Sequence, residues 1–253
     1  MLRCAVNSLA KRYFSPFLAA ALLAAGGPAV AVEKVIPDAE IRKFQEETKD
    51  IKNQVLPLGR LVVSQRGTKT IITSDNGRYR FQAPIIDTWT KTEINSYEDA
   101  VFSAGHMPME NIGLKSELLA PLIYGDNAEQ KVLVFLSPDD PGSRRFINQL
   151  PSLKEHFQFE LVVVPANSTP TKWATAFSCV DDKQRALDAL LSGKGLNSLK
   201  FAAGCDLQML NNRMLSFRLL GFYDLPTVIA PSSRLSIGDR ADGWKKFLME
   251  NMQ

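Results

Sequence analysis

The stretch KVLVFLSPDDPGSRR, Lys131–Arg145, decides the fold of this chain. Five consecutive apolar residues, Val132–Leu136, are followed at once by a turn and then by the amphipathic stretch Arg144–Leu153. A short apolar run bounded by a turn predicts a strand that is buried on both faces. The dipeptide Asp140-Pro141 is typical of a helix start, because aspartate is a favoured N-cap and proline is tolerated in the first turn. The segment therefore predicts a strand, a turn and a helix.

The first 31 residues predict a secretory signal peptide. Its parts are a basic leader, an apolar stretch and an A-x-A cleavage motif: Arg3, Lys11 and Arg12; Phe14–Ala25; and Ala29-Val30-Ala31. We expect the mature chain to begin at Val32. The apolar stretch is short for a membrane span, so we expect no span after cleavage; an uncleaved anchor is the alternative.

Removal of the leader changes the charge balance. It carries three of the 30 basic residues and no acidic ones, which leaves 27 basic and 27 acidic residues in 222. A near-neutral chain has no basic field for nucleic acid or anionic lipid, so neither is expected as a partner. The remaining length suffices for two small domains or one large one.

Two cysteines, Cys179 and Cys205, remain after cleavage. An even count in an oxidising compartment favours a disulfide. Bridging them would close a loop of about 26 residues, worth roughly 3 kcal/mol in the chain-entropy model. The alternative is a redox couple, but catalytic cysteines usually lie two residues apart at a helix N-terminus. A structural role is therefore favoured.

The rest of the chain divides by pattern. Ile36–Val55 predicts an amphipathic helix ended by Pro57, and Ile85–Asn127 predicts a linker helix and a loop. Between them, turns at Gln65-Arg66-Gly67 and Asp75-Asn76-Gly77 separate three predicted strands: Leu61-Val62-Val63, Thr70-Ile71-Ile72 and Tyr79-Arg80-Phe81. After the opening segment, the pattern predicts a strand, a helical block, a second strand and a terminal helix: Phe159–Val164, Thr171–Leu220, Thr227–Ile229 and Gly243–Met252.

The mature chain resembles the periplasmic DsbC/DsbG-type disulfide isomerases along nearly its whole length. Four segments carry the resemblance: Ser74–Asp87 (SDNGRYRFQAPIID), Cys179 with the helix ending at Ser192-Gly193-Lys194, Ala203-Gly204-Cys205-Asp206, and Leu225-Pro226-Thr227. The resemblance implies a periplasmic homodimer formed through residues about 58–86, a Cys179–Cys205 structural disulfide and a cis Pro226. The family usually has threonine before this proline, and Leu225 weakens any polar contact there.

The implied fold is α+β / α/β, with four regions. After a signal peptide at 1–31, a small β-rich dimerisation domain of a helix and short antiparallel strands covers 32–90, and a linker helix and loop cover 91–128. A thioredoxin-like domain covers 129–253, with a helical insertion at about 168–220. By the resemblance, the catalytic Cys-X-X-Cys positions are Asp140, Pro141, Gly142 and Ser143.

A carboxylate and a hydroxyl cannot carry out thiol–disulfide exchange, because the attacking species is a thiolate. We therefore expect no catalytic residue here. A new hydrolytic site built on Asp140, Ser143 and Arg144 is disfavoured, because the only histidines, His106 and His156, are in no nucleophile–base or metal-ligand spacing. No metal and no cofactor is expected.

The expected function is binding. The hypothesis is a redox-inactive relative of the isomerases that holds exported or unfolded polypeptides as a chaperone or assembly factor, with an envelope secretion or conjugation apparatus as a suggested setting. The candidate peptide contacts are Leu225, Pro226, Thr227 and Arg144. Two alternatives remain: a thiol oxidoreductase that uses Cys179 and Cys205, and a structural subunit of an envelope complex.

Overall fold

The computed structural model describes residues 46, 48–56, 60–166, 172–200 and 208–253. The predicted signal peptide, most of the predicted first helix, and Cys205 lie outside the described residues. The chain from Thr48 to Gln253 forms one unit. Among the described helices, none has the length and apolar character needed to span a bilayer.

The N-terminal part of this unit is a four-stranded antiparallel sheet in the order β1-β2-β3-β4. Its strands are β1 Lys52–Leu56, β2 Leu61–Arg66, β3 Lys69–Ser74 and β4 Arg80–Phe81. A separate hairpin follows, formed by β5 Ile85–Asp87 and β6 Thr92–Ile94. The three strands and two turns predicted from the sequence are present here as β2, β3 and β4.

The first strand corrects the predicted helix over Ile36–Val55, because Lys52–Leu56 is extended. Val55 lies opposite Val62 on β2, and Leu56 is buried in the small core of this region. Pairing with β2 supplies backbone hydrogen bonds and burial together, and this tertiary gain overrides a weak local helix preference.

The predicted linker helix is α1, Tyr97–Ala104, and it is part of the N-terminal core. Ser96 and Asp99 form a capping box at its start. Its Ala100 is fully buried in one cluster with four apolar side chains of the sheet and hairpin: Leu56, Val63, Ile72 and Ile94. The expected domain boundary at residue 90 falls between the paired strands β5 and β6.

The C-terminal part is built on a five-stranded mixed sheet in the order β11-β10-β8-β9-β7. Its strands are β7 Leu122–Tyr124, β8 Lys131–Leu136, β9 Gln158–Val163, β10 Thr227–Ile229 and β11 Leu235–Ile237. Strands β8 and β9 are parallel, and the other neighbours are antiparallel. Strand β7 of this sheet precedes residue 129, the expected start of the domain. The edge strand β11 was not predicted.

Within the described residues, six helices follow α1. They are α2 Met109–Ile112, α3 Pro141–Gln149, α4 Lys172–Ser178, α5 Lys183–Ser192, α6 Gln208–Leu219 and α7 Trp244–Met249, with short 3-10 turns at Ser116–Leu119, Leu150–Ser152 and Leu196–Ser198. Helix α3 connects β8 to β9, α4–α6 form the predicted insertion, and the Leu225-Pro226 bond before β10 is cis. Strand order, helix α3 and this proline define a thioredoxin-like fold, which confirms the prediction.

Both faces of the sheet are covered. On β8, Val132, Val134 and Leu136 pack into a core with α3 and α7, whereas Leu133 and Phe135 pack into a second core on the opposite face. Strands covered on both faces are apolar throughout, as the uninterrupted run in the sequence predicts.

The segment after α1 is attached to the edge strand of this sheet. The Met107 amide donates to the Ser233 carbonyl at 2.7 Å, and the Leu235 amide donates to the Gly105 carbonyl at 2.8 Å. These bonds pair the end of the N-terminal part with β11. The linker region is thus held by backbone hydrogen bonds at this point.

Candidate polypeptide-binding site at two facing turns

The first turn connects β8 to α3. The Asp140 carboxylate caps the helix by accepting from the Ser143 amide at 2.6 Å. The Ser143 hydroxyl oxygen accepts from the Ser137 amide at 3.1 Å, and Ser143 is fully buried. Both side chains thus have structural hydrogen bonds within the turn itself.

The second turn contains the cis Leu225-Pro226 bond, and it faces the first. A Cβ placed on Gly142 would stand 2.9 Å from the Leu225 carbonyl oxygen, 3.2 Å from Asp140 Oδ2 and 3.2 Å from Asp239 Cβ. Only a glycine fits without displacing backbone. The structure therefore brings together two motifs that are far apart in the sequence.

The predicted peptide contacts Leu225, Pro226 and Thr227 have buried side chains. The Thr227 hydroxyl donates to the Asp224 carbonyl at 2.7 Å, and the Leu225 amide donates to Asp224 Oδ1 at 2.9 Å. The structure shows these side chains buried in the absence of a ligand, and their contact with a peptide stays a prediction.

The exposed neighbours of the two turns are different residues. Tyr223 is 78% exposed, directly before Asp224, and Pro141 is exposed on the facing turn. On α6, which precedes Tyr223, Leu215 and Leu219 are 56% and 65% exposed. These two lie one helical turn apart on the same face. The sequence did not identify Leu215, Leu219 or Tyr223 as contact residues. Tyr223 was the visible signal, because it is an aromatic residue three positions before Pro226.

Arg144, the other predicted peptide contact, donates hydrogen bonds to two backbone carbonyl groups. Its Nε donates to the Pro138 carbonyl at 3.0 Å, and its Nη1 donates to the Leu190 carbonyl at 2.8 Å. The second acceptor lies in the last turn of α5, where carbonyl groups lack helical partners. The guanidinium thus joins the β8–α3 turn to the insertion, and Arg144 is half-buried. Its role as a peptide contact stays a prediction.

The insertion is attached to the same turn at a second point. The Trp173 indole N–H of α4 donates to Asp139 Oδ2 at 2.8 Å, and Trp173 is buried. Arg145, next along α3, forms an exposed ion pair with Asp239 at 2.7 Å. The β8–α3 region is therefore held by a hydrogen bond from α4 and by an ion pair with Asp239.

Cys179 is disulfide-bonded, and only 5% of it is exposed. A buried disulfide is a poor target for an attacking thiolate. This observation fits the structural role. Cys205, its predicted partner, lies outside the described residues, so the pairing stays a prediction.

The two histidines each contact a phenylalanine ring. His106 stacks on Phe102 with ring centroids 3.9 Å apart, and His156 contacts Phe157 edge-on. Within the described ranges, no group of three or more His, Cys, Asp or Glu side chains could hold a metal ion.

Comparison with known proteins gives similarity to solved structures only. No family model matches the chain, and no curated protein matches it. A disulfide interchange protein from Neisseria gonorrhoeae is 20% identical, with a TM-score of 0.43 over 55% of this chain and 99% of that one. The thiol-disulfide exchange protein alpha-DsbA2 from Wolbachia pipientis is 21% identical, with a TM-score of 0.40 over 52% and 87%. DsbG from Helicobacter pylori is 16% identical, with a TM-score of 0.34 over 77% and 100%.

The fold and the two turns define the class of protein. It has a thioredoxin-like fold in which α3, the helix after β8, is capped by Asp140 and contains no cysteine.

Proposed function

We propose that this protein is a redox-inactive, thioredoxin-like protein of the periplasm that binds exported or unfolded polypeptides as a chaperone or assembly factor. The observation that carries the proposal is the pair of facing turns. The cis Leu225-Pro226 turn lies against Gly142, while Asp140 and Ser143 occupy the helix start without a thiol.

Exposed apolar side chains support a binding role. Leu215, Leu219 and Tyr223 lie within nine residues of chain that lead into the cis-proline turn, and each is more than half exposed. Clustered apolar exposure marks interaction surfaces in folded proteins. We assign these three side chains, called the α6 surface here, as the main polypeptide contact.

A second set of exposed apolar side chains supports self-association of the N-terminal sheet. Tyr79, Phe81 and Ile86 are 55%, 39% and 65% exposed, and β4 is an edge strand of that sheet. A small sheet that buries little core gains stability from a partner. The proposal includes a homodimer formed through residues about 58–86, to be tested by light scattering on the wild type and on Phe81→Ser.

The binding proposal is tested with the mature chain and a reduced, denatured client whose aggregation is followed by turbidity. The wild type should suppress aggregation and should not catalyse reduction of insulin disulfides. The double substitution Leu219→Ser/Tyr223→Ser should remove most of the suppression. Met249→Ser is the matched control, because Met249 is a 41% exposed apolar residue on α7.

Unchanged suppression by the double variant, or insulin reduction by the wild type, would contradict the proposal. A pull-down from envelope extracts with the same variants then identifies the client. It also tests whether that client belongs to a secretion or conjugation apparatus.

A further inference from the structure

A cavity of about 300 Å³ lies where the N-terminal part of the unit meets β11. Its apolar lining comes from the N-terminal sheet, the β5–β6 hairpin, α1 and β11: Leu56, Leu61, Ile85, Ile94, Ala104 and Leu235. The backbone hydrogen bonds that join residues 105 and 107 to residues 233 and 235 hold two of these elements together. The lining includes no residue of α6 or of the two facing turns. The cavity is therefore separate from the α6 surface.

Asp87 is the acidic residue that lines the cavity, and its carboxylate is satisfied by the protein. Its Oδ1 accepts from the Trp89 and Thr90 amides at 2.9 and 3.4 Å. Its Oδ2 accepts from the Thr90 and Ser103 hydroxyls at 2.7 and 2.5 Å. A carboxylate with four donors does not need a cation. Since no lysine or arginine is among the described residues that line the cavity, an anion finds no counter-charge, and the cavity favours a neutral ligand.

His106 gives the cavity a hydrogen-bond acceptor. Its Nδ1 lies 2.7 Å from the Phe102 carbonyl oxygen. Because a carbonyl oxygen only accepts, Nδ1 carries the hydrogen, and Nε2 of the neutral ring is the acceptor. The Arg234 guanidinium lies 3.4 Å from the same Nδ1, and two donors form no hydrogen bond. Burial holds the pKa of His106 below its usual 6.5, so the ring is neutral at pH 7.5. Within the described ranges, Nε2 has no protein partner.

Trp89 gives the cavity a hydrogen-bond donor. Its backbone amide donates to Asp87, and its backbone carbonyl accepts from Asn111. Its indole N–H can only donate, and it has no acceptor in the part of the chain that the structure describes. The side chains of Trp89 and His106 are half-buried, so water can reach both groups in the free protein. The cavity thus combines apolar walls with one donor and one acceptor.

We propose that this cavity binds a small neutral alcohol, whose hydroxyl donates to His106 Nε2 and accepts from the Trp89 indole N–H. A hydroxyl carries out both roles with a single oxygen, while the apolar body of the ligand contacts the aliphatic walls. At roughly 30 Å³ for each water-sized unit, the volume holds about ten non-hydrogen atoms. The occupant is a free molecule, because this volume leaves no room for a polypeptide backbone. Mostly apolar cavities of about 300–1,000 Å³ with a few polar groups are usual for small-molecule sites.

The test is a titration of the mature protein at pH 7.5, followed by nuclear magnetic resonance. The probes are 2-phenylethanol, its methyl ether, phenylacetate and 2-phenylethylammonium, which share one apolar body. The alcohol should give saturable shifts at the Trp89 indole N–H and at residues 85–89 and 103–107. It should bind about fivefold more tightly than the ether, because the ether cannot donate to His106. The two ions should bind more weakly still. An acetylated tyrosine tripeptide amide, which carries its hydroxyl on a polypeptide, should give no shifts at these residues.

Three substitutions test the two parts of the site. His106→Phe keeps an aromatic ring and removes the acceptor, so it should weaken alcohol binding about fivefold and leave ether binding within about twofold. His156→Phe is the matched control, because His156 does not line the cavity, and it should change neither affinity. Ala104→Leu fills the cavity from α1 and should abolish binding of both probes. Far-UV circular dichroism confirms that each variant is folded, and His106→Phe decides the question if Ala104→Leu does not fold.

The inference is overturned if the alcohol does not bind saturably, or if the ether or either ion binds as tightly as the alcohol. Shifts of the same residues by the tyrosine peptide, or an unchanged preference for the alcohol in His106→Phe, would also overturn it. The inference does not depend on the proposed function. His106→Phe should still suppress client aggregation, and Leu219→Ser/Tyr223→Ser should still bind 2-phenylethanol.

Discussion

Gly142 packs directly against Leu225, with room for a hydrogen atom but not for a methyl group between them. A Cβ on Gly142 would stand 2.9 Å from the Leu225 carbonyl oxygen, closer than real Cβ atoms approach other atoms. This contact joins the start of α3 to the cis-proline turn. Because the obstructing atom belongs to the backbone, it cannot move aside as a flexible side chain would.

Gly142→Ala is therefore expected to destabilise the protein by about 1–3 kcal/mol, as overpacking of a tight contact does. Alanine has the higher helix propensity, so a stabilising result in urea unfolding would contradict the contact. The control is Asn148→Ala, at an exposed position of the same helix, where the change should stay within about 0.5 kcal/mol.

Asp140→Cys/Ser143→Cys should convert the turn into a working dithiol. The thiolate at position 140 would lie at the N-terminus of α3, which lowers a cysteine pKa, and the cis-proline turn already faces it. We expect insulin reduction by the double variant in the presence of a reductant.

The matched control is the single substitution Asp140→Cys, which has no resolving thiol and should not turn over. An inert double variant with a formed disulfide would show that the turn lacks an accessible path for a substrate.

Arg144 and Arg145 are adjacent, yet they should respond differently to replacement by methionine. Arg144→Met leaves the Pro138 and Leu190 carbonyls without their donor, which should cost about 1–3 kcal/mol in urea unfolding. Arg145→Met removes only the exposed ion pair with Asp239, worth roughly 0–1 kcal/mol.

The folded Arg144→Met protein should still suppress client aggregation. A loss of suppression without a loss of stability would support Arg144 as a peptide contact.

His106 should make the stability depend on pH. Burial lowers its pKa below the usual 6.5, the Phe102 carbonyl raises it, and the nearby Arg234 guanidinium lowers it further. Since the pKa in the folded state is depressed, the unfolded chain binds more protons as the pH falls through 6.5. Stability should therefore be greatest above that value and decrease on acidification.

The free energy of unfolding at pH 7.5 and at pH 5.0 measures this effect. In His106→Asn the difference between the two pH values should shrink. His156→Asn removes the other imidazole without touching the Phe102 contact and serves as the control. An unchanged pH difference in His106→Asn would contradict the assignment.

Local sequence patterns were sufficient for the strand, turn and helix that begin at Lys131. An apolar run and an aspartate–proline pair act over a few residues, so they predict β8 and the start of α3 without tertiary information. The same local reasoning failed for Lys52–Leu56. That segment is a strand only because β2, which comes later in the chain, offers Val62 as a partner for Val55.

The candidate site likewise combines motifs that are visible in the sequence with an arrangement that depends on tertiary structure. The Leu225-Pro226 pair, Asp140 and Ser143 were visible in the sequence, and the cis bond was implied only by the family resemblance. Their facing arrangement depends on β8 and β10 being neighbours in the sheet. The exposure of Tyr223 and the use of Arg144 as a bridge to Leu190 follow from packing with α5 and the strand ends, which no local pattern encodes.

By itself, the sequence determined that the helix after β8 begins without a thiol and that a proline precedes β10. Only the tertiary structure decided which side chains are available to a partner. It buries Leu225, Pro226 and Thr227 and exposes Tyr223. The physical reason is that residue type is local, whereas burial and hydrogen bonding depend on segments that come from elsewhere in the chain.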